Sequence, residues 1–145
     1  MSTPEEITAV AMLCDYAQIA DGKLNIMGGG WGYLWATEEP AEWGLILAVN
    51  LSVPWAKTNQ DIVVTTRLYT EDHEAVVNAE GEEIFAEGNL RVGRPPDARP
   101  GIPIIVPFFL PFAGLSLNFG GYVWEISAGT NVITRVPFQV AQRRS

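Results

Sequence analysis

The sequence has little of what catalysis, metal binding and covalent cross-linking require. Its 145 residues include one cysteine, Cys14, and one histidine, His73. A single cysteine excludes an intrachain disulfide framework, and a single histidine excludes a metal site built from several imidazoles. Charged residues make up only 18% of the chain, against about 25% in ordinary soluble domains, and hydrophobic residues make up 48%. This composition excludes a disordered chain and a coiled coil, and it predicts one globular domain over residues 1–145.

Basic residues are also scarce. Nine Lys and Arg stand against 17 Asp and Glu, giving a formal net charge of −8, which argues against nucleic acid as a partner because phosphates require a cationic surface. The imbalance is uneven, at −11 over residues 1–83 and +3 over residues 84–145. The two halves either neutralise each other within one fold or leave a basic docking surface in the second half. That docking surface would be formed by Arg91, Arg94, Arg99, Arg143 and Arg144.

No segment of the sequence resembles a secretion signal or a membrane span. The opening Met-Ser-Thr-Pro-Glu-Glu carries acids where a signal peptide carries positive charge. The longest apolar run, 102–112, is 11 residues long and contains three prolines, whereas a spanning helix needs about 20 residues. We therefore expect a protein that is made in the cytoplasm, is not secreted and does not enter a membrane.

Alternating apolar residues predict an all-β fold. In the run 45–53 every odd-numbered residue is Leu or Val, which is the period-2 pattern of a half-buried strand. The same alternation returns at 62–68, 122–126 and 132–140. Turn signals such as Asp21-Gly22 separate these runs. We predict an antiparallel β-sandwich of about eight or nine strands.

The end of the chain is immunoglobulin-like in pattern. Gly121-Tyr122-Val123-Trp124 opens one strand, and Val136-Pro137-Phe138-Gln139-Val140 follows in the next one. Tyr122 stands where immunoglobulin sandwiches carry a tyrosine corner, so we expect it to form one. The paired cysteines of antibody domains are absent.

No residue pattern predicts a catalytic residue, a metal site or a cofactor. A nucleophile–histidine triad must use His73, which lies in Glu71-Asp72-His73-Glu74, a predicted charged turn. Consecutive strand residues point to opposite faces, so these four side chains cannot all reach one ion. The glycine-rich segment 28–32 lacks the Lys-Ser/Thr of a phosphate loop and predicts a bulge or a sharp bend. An enzyme of unknown type stays an alternative only if His73 occupies a deep pocket beside a buried acid.

Three aromatic residues alternate along one predicted strand. Trp31, Tyr33 and Trp35 share one face of it. These rings could fill the core, since each buries a large apolar area. They could also form a protein interface, where aromatic side chains act as hot spots, or a flat platform on which pyranose rings stack. Burial of all three rings would exclude the sugar platform.

The segment 104–112 has apolar residues on both faces of its predicted strand. Its Pro107 and Pro111 favour an edge strand, because proline donates no ladder hydrogen bond. An exposed apolar edge strand would aggregate, so we expect another subunit to cover it. The candidate interface residues in this segment are Phe108, Phe109 and Phe112.

The segment 11–30, AMLCDYAQIADGKLNIMGGG, resembles the opening of an uncharacterised family of small single-domain proteins found in actinobacteria and their phages. That opening has the form A-D-Y-A-x(3–4)-D-G-K-L-N-I-x-G. Later matches are the V-G-R-P-P run beginning at Val92, the G-Y-x-W run at Gly121 and the closing V-P-F-x-V run at Val136. The family has no assigned activity, so the resemblance implies no catalytic residue and favours a virion or assembly role.

These observations favour a non-enzymatic structural or interaction module. Its most concrete version is a phage virion component, such as a capsid decoration protein, located in the cytoplasm when made and then in the virion. We expect a protein partner or copies of the chain itself, and hence a homo-oligomer or a larger assembly. The alternative is a carbohydrate- or small-ligand-binding β-sandwich that uses the aromatic platform.

Overall fold

Two β-sheets make up nearly all of the structure, a computed structural model that describes residues 6–144. The nine strands found in this range confirm the predicted number. A single 3-10 turn, Trp55–Lys57, interrupts them, and no helix within 6–144 is long and apolar enough to cross a membrane. The strands are β1 (Thr8–Ala20), β2 (Lys23–Gly29), β3 (Tyr33–Ala36), β4 (Ala41–Val53), β5 (Asp61–Thr70), β6 (Phe85–Arg91), β7 (Ile104–Leu117), β8 (Gly120–Ala128) and β9 (Asn131–Gln142).

The strands divide into a four-stranded sheet A, in the order β2-β1-β4-β7, and a five-stranded sheet B, in the order β3-β9-β8-β5-β6. Neighbouring strands are antiparallel, with the exception of β3 and β9, which run parallel. This pair departs from the wholly antiparallel prediction. The chain crosses from sheet A to sheet B at the end of β2, where Gly28 and Gly30 adopt positive φ angles of 60° and 83° that favour glycine, and β3 then joins β9 in the parallel direction.

The core lies between the two sheets and follows the predicted alternation. In β4 the odd-numbered residues from Leu45 to Val53 are at most 4% exposed, and each such side chain contributes roughly 1.5–3 kcal/mol by leaving water. Trp124 of sheet B is fully buried and stacks on Phe112 of sheet A, with ring centroids 4.4 Å apart. This contact joins the two sheets near the centre of the core.

The strand order from β4 onwards is that of an immunoglobulin sandwich. β4 pairs with β7 as strand B pairs with E, and β8 lies between β5 and β9 as F lies between C and G. At the start of β8 the Tyr122 hydroxyl donates a hydrogen bond of 2.8 Å to the carbonyl of Asn118. The tyrosine corner is therefore confirmed. Trp124, two residues later, occupies the place of the strand F cysteine of antibody domains.

An N-terminal hairpin extends this core. β1 and β2 are joined at Asp21 and Gly22, whose φ angles of 53° and 69° fit the two positive positions of a tight hairpin turn. The predicted hairpin is confirmed. β1 pairs with β4 and so takes the place beside strand B, which leaves one broad outward face on sheet A.

Candidate interaction surfaces

Over residues 8–14 of β1, 46–52 of β4 and 105–111 of β7, the outward face of sheet A carries no charged side chain. On β4 the inward positions are the Leu and Val residues of the core, so Ile46, Ala48, Asn50 and Ser52 point outwards. The register places an outward residue of β1 and one of β7 beside each of them. We call this surface the uncharged face; it consists of Thr8, Val10, Met12, Cys14, Ile46, Ala48, Asn50, Ser52, Ile105, Pro107, Phe109 and Pro111.

The uncharged face has a packed centre and an exposed rim. Cys14, Ala17 and Ala48 are buried in a second small cluster, separate from the main core. Ile46 and Phe109 of the face pack against this cluster, as do Leu24 and Ile26 of β2. Val10 and Ile105 remain 69% and 53% exposed. An outward face of an antiparallel sandwich is ordinarily polar. Exposed apolar rows without charge are instead typical of contact surfaces.

The three phenylalanines that the sequence singled out in β7 do not share one face. Phe108 and Phe112 pack against the main core, while Phe109 belongs to the uncharged face. The reason is the strand period of two, since Phe108 pairs with the inward Val49 and Phe109 with the outward Ala48. A surface contact can therefore be built mainly on Phe109.

β7 lies at the edge of sheet A, which confirms the prediction drawn from its prolines. β4 pairs with β7 through the register Asn50–Pro107 and Ile46–Pro111. Because proline has no N–H, it is tolerated where the backbone nitrogen faces away from β4 and towards the free edge of the sheet. That edge therefore lacks the two backbone N–H donors of residues 107 and 111. The edge is thereby protected against pairing with another strand.

The aromatic residues of β3 form an exposed pair rather than a row of three. Tyr33 and Trp35 are 55% and 51% exposed, with ring centroids 5.6 Å apart and planes 12° from parallel. Trp31 precedes the strand and packs against the main core. The expectation that Trp31 shares their face is not met, because the glycine-rich crossing, not a strand, carries this residue.

Two polar residues that sequence reasoning missed adjoin this pair. The register across sheet B runs from Tyr33 to Gln139 and from Gln139 to Gly121. Gly121 has no side chain, and a Cβ added there would lie 2.5 Å from an Oε atom of Glu71. The Glu71 carboxylate therefore lies over Gly121, and no sequence pattern signals a contact between positions so far apart.

The five arginines proposed as a docking surface do not form one patch. Arg91 pairs with Asp61 at the end of sheet B where β9 begins, while Arg143 follows the last residue of β9. The length of β9, 12 residues, separates these two ends by about 40 Å. The basic residues divide into two groups, with Arg91, Arg94 and Arg99 at one end and Arg143 and Arg144 at the other.

Two of these arginines are engaged within the chain. The Arg94 guanidinium lies 3.8 Å from the Trp55 ring centroid, and its Nε donates to the Thr58 hydroxyl at 2.6 Å. Arg91 donates to the carbonyl of Asn59 at 2.9 Å. Both hold the β6–β7 connection against the 3-10 turn, so a structural role accounts for their position.

The one histidine lies beside a buried carboxylate on sheet B. Glu125 is only 8% exposed, and it lies 3.3 Å from Arg135 Nε and 3.5 Å from His73 Nδ1. The His73 side chain is 65% exposed and stacks on Tyr69 in a turn with a φ angle of 62°. Glu125 is thus a buried acid beside His73, but the His73 imidazole faces solvent and does not occupy a deep pocket. Within residues 6–144 no group of three or more His, Cys, Asp and Glu side chains could hold a metal ion.

Cys14 is placed as a packing residue. Its thiol is fully buried and lies 3.6 Å from the carbonyl of Ile46. Burial raises the pKa of the Cys14 thiol, and the negative charge of Asp15 raises it further. The thiolate is the reactive form, so this environment disfavours a nucleophilic role.

The strand order, the tyrosine corner and the sheet pairing define the chain as an immunoglobulin-like β-sandwich. The model of a family of unknown function, DUF6941, matches residues 9–141, and the chain belongs to that family. The match includes all nine strands except the first residue of β1 and the last of β9, and it agrees with the expectation of an uncharacterised single-domain family. No curated protein matches the chain.

Proposed function

We propose that this chain is a non-enzymatic interaction module whose partner at the uncharged face is a second copy of itself. The observation that carries the proposal is the contrast between the two outward faces. Sheet B bears Arg67, Glu87, Glu125 and Arg135 on its outward face, whereas the uncharged face bears none. A second copy can therefore pack on the uncharged face without burying a charged side chain.

The size of the uncharged face sets the strength of the contact. Four rows of three residues, one from each of β1, β4 and β7, cover about 14 Å by 27 Å, or roughly 400 Å² in projection. Because Cys14 and Ala48 are already buried within the chain, two copies would bury less than about 800 Å², which is below the standard size of specific interfaces. We therefore expect a weak, concentration-dependent dimer on its own, which a larger assembly would reinforce by multivalency.

The geometry favours contact through the face over contact through the edge. The prolines of β7 remove donors from the free edge, so extension of sheet A by another strand is disfavoured. Face-to-face stacking needs no backbone hydrogen bonds and buries the exposed side chains of Val10 and Ile105 at once. A basic heterologous partner fits less well, because the face offers no acid for it to recognise.

The placement of the two reactive residues supports a non-enzymatic role. Cys14 is buried with a raised pKa, and His73 is turned to solvent rather than into a deep pocket. The most concrete form of the proposal is a virion component such as a capsid decoration protein, located in the cytoplasm when made and then in the virion. It rests on the family resemblance together with the self-complementary face.

Light scattering after size exclusion, over a range of protein concentrations, tests the proposal. The wild-type mass should rise from monomer towards dimer, and Val10→Lys should keep it monomeric at every concentration. Val63→Lys, at a partly exposed position on the outward face of sheet B, is the matched control and should dimerise like the wild type. A monomer up to about 1 mM, which corresponds to less than roughly 4 kcal/mol of association free energy, would overturn it.

A further inference from the structure

The exposed pair Tyr33 and Trp35 lies at the outer edge of sheet B, on the opposite side of the sandwich from the uncharged face. Successive outward residues on a strand are about 6.6 Å apart, and the 5.6 Å between the ring centroids shows that the rings lean together. About half of each side chain remains in solvent. The two near-parallel rings stack on each other, and the ring faces and edges that this stack leaves exposed offer an apolar surface to a ligand.

Hydrogen-bonding groups continue from this surface along one row of the sheet. Gln139 of β9 pairs with Tyr33, and Gly121 of β8 pairs with Gln139. The Glu71 carboxylate occupies the place of the missing Gly121 side chain, and the Glu71 N–H donates to the Gly121 carbonyl at 3.0 Å. An aromatic surface, an amide and a carboxylate therefore follow one another at the spacing of neighbouring strands, about 4.8 Å.

The types of polar group select the ligand chemistry. A pyranose offers an apolar C–H face for stacking and a rim of hydroxyl groups that donate and accept. The Glu71 carboxylate only accepts hydrogen bonds, and the Gln139 amide does both. A proline-rich peptide would also stack on the rings, but its backbone presents carbonyl acceptors and no proline N–H. Such a peptide would leave Glu71 without a donor.

We propose that Tyr33, Trp35, Gln139 and Glu71 form a binding site for a neutral glycan. The pyranose face stacks on the aromatic pair, and its hydroxyl groups donate to the Glu71 carboxylate and exchange hydrogen bonds with the Gln139 amide. The site does not depend on the contact between copies, because it lies on sheet B, and Val10→Lys should leave it intact.

Titration of the full chain with cellohexaose, chitohexaose and mannohexaose, followed by the NMR signal of the Trp35 indole N–H, tests the site. At least one of these neutral oligosaccharides should shift that signal and the amides of β3 and β9. Trp35→Ala, at a half-exposed position, should weaken binding by tenfold or more. Glu71→Gln should weaken it about 2- to 10-fold, the range expected for one hydrogen bond.

Two further variants separate the site from nonspecific effects. Gly121→Ala displaces the Glu71 carboxylate without altering either ring, and it should weaken binding as Glu71→Gln does. Val63→Ala, elsewhere on sheet B, should leave binding unchanged. The proposal is overturned if none of the three oligosaccharides binds, if binding survives Trp35→Ala in a variant with wild-type circular dichroism, or if a proline decamer binds at the pair and the oligosaccharides do not.

Discussion

The tyrosine corner gives the most quantitative prediction about stability. Tyr122→Phe removes one hydrogen bond, from the hydroxyl to the Asn118 carbonyl at 2.8 Å, and keeps the ring stacked on Phe138. A neutral hydrogen bond contributes about 0.5–1.5 kcal/mol. For a chain of this length that loss corresponds to a fall of about 2–5 °C in Tm. Tyr16→Phe, at a half-exposed ring on β1, is the control and should change Tm by less than 1 °C, or about 0.3 kcal/mol.

The same residue predicts a dependence on alkaline pH. Burial raises the pKa of Tyr122 in the folded chain, and the charge of Glu39 adds to the effect. The unfolded chain therefore releases this proton first, so the free energy of unfolding falls as pH rises from about 10 towards the folded pKa. Phenylalanine has no proton to release. In urea titrations, the difference in free energy of unfolding between wild type and Tyr122→Phe should narrow above pH 10. For the hydrogen bond itself, equal Tm values for Tyr122→Phe and Tyr16→Phe would refute the reasoning.

Two further predictions test other parts of the fold. Cys14 should react with a thiol reagent at pH 8 only when the chain is unfolded in urea, because its thiol is buried and its pKa is raised; rapid labelling of the native chain would contradict this placement. Gly28→Ala should lower the free energy of unfolding more than Gly30→Ala, as measured in urea. Both require an alanine at positive φ, which costs about 1–2 kcal/mol, but only at Gly28 would the new Cβ also meet the Asp15 carboxylate. Equal losses would show that the Asp15 side chain moves aside without cost and would contradict the prediction.

Local patterns were sufficient to predict most of the architecture. The alternation over 45–53 identified the central strand, Asp21-Gly22 identified the hairpin, and the position of Tyr122 identified the corner. Each of these features depends on neighbours in sequence, where a period or a turn residue specifies the backbone directly. The prolines of β7 likewise indicated an edge, because a missing N–H excludes a central position.

The surfaces could be predicted only in part, because they depend on pairings between distant segments. The parallel register of β3 with β9 brings Gln139 beside Tyr33, and a long-range contact brings Glu71 over Gly121. The absence of charge on the uncharged face becomes visible only when β1, β4 and β7 are aligned. Conversely, the arginines that cluster by composition lie at opposite ends of sheet B, since sequence position does not report position along a sheet.

Side-chain oxidation footprinting at rising protein concentration tests most directly whether the uncharged face is a contact between copies. Labelling of Val10, Met12 and Ile105 should fall as concentration rises, because dimerisation removes these side chains from water. Labelling of Val63 and Val132, which lie partly exposed on sheet B, should stay constant. Unchanged labelling of all five residues across the range, or protection confined to sheet B, would contradict the account.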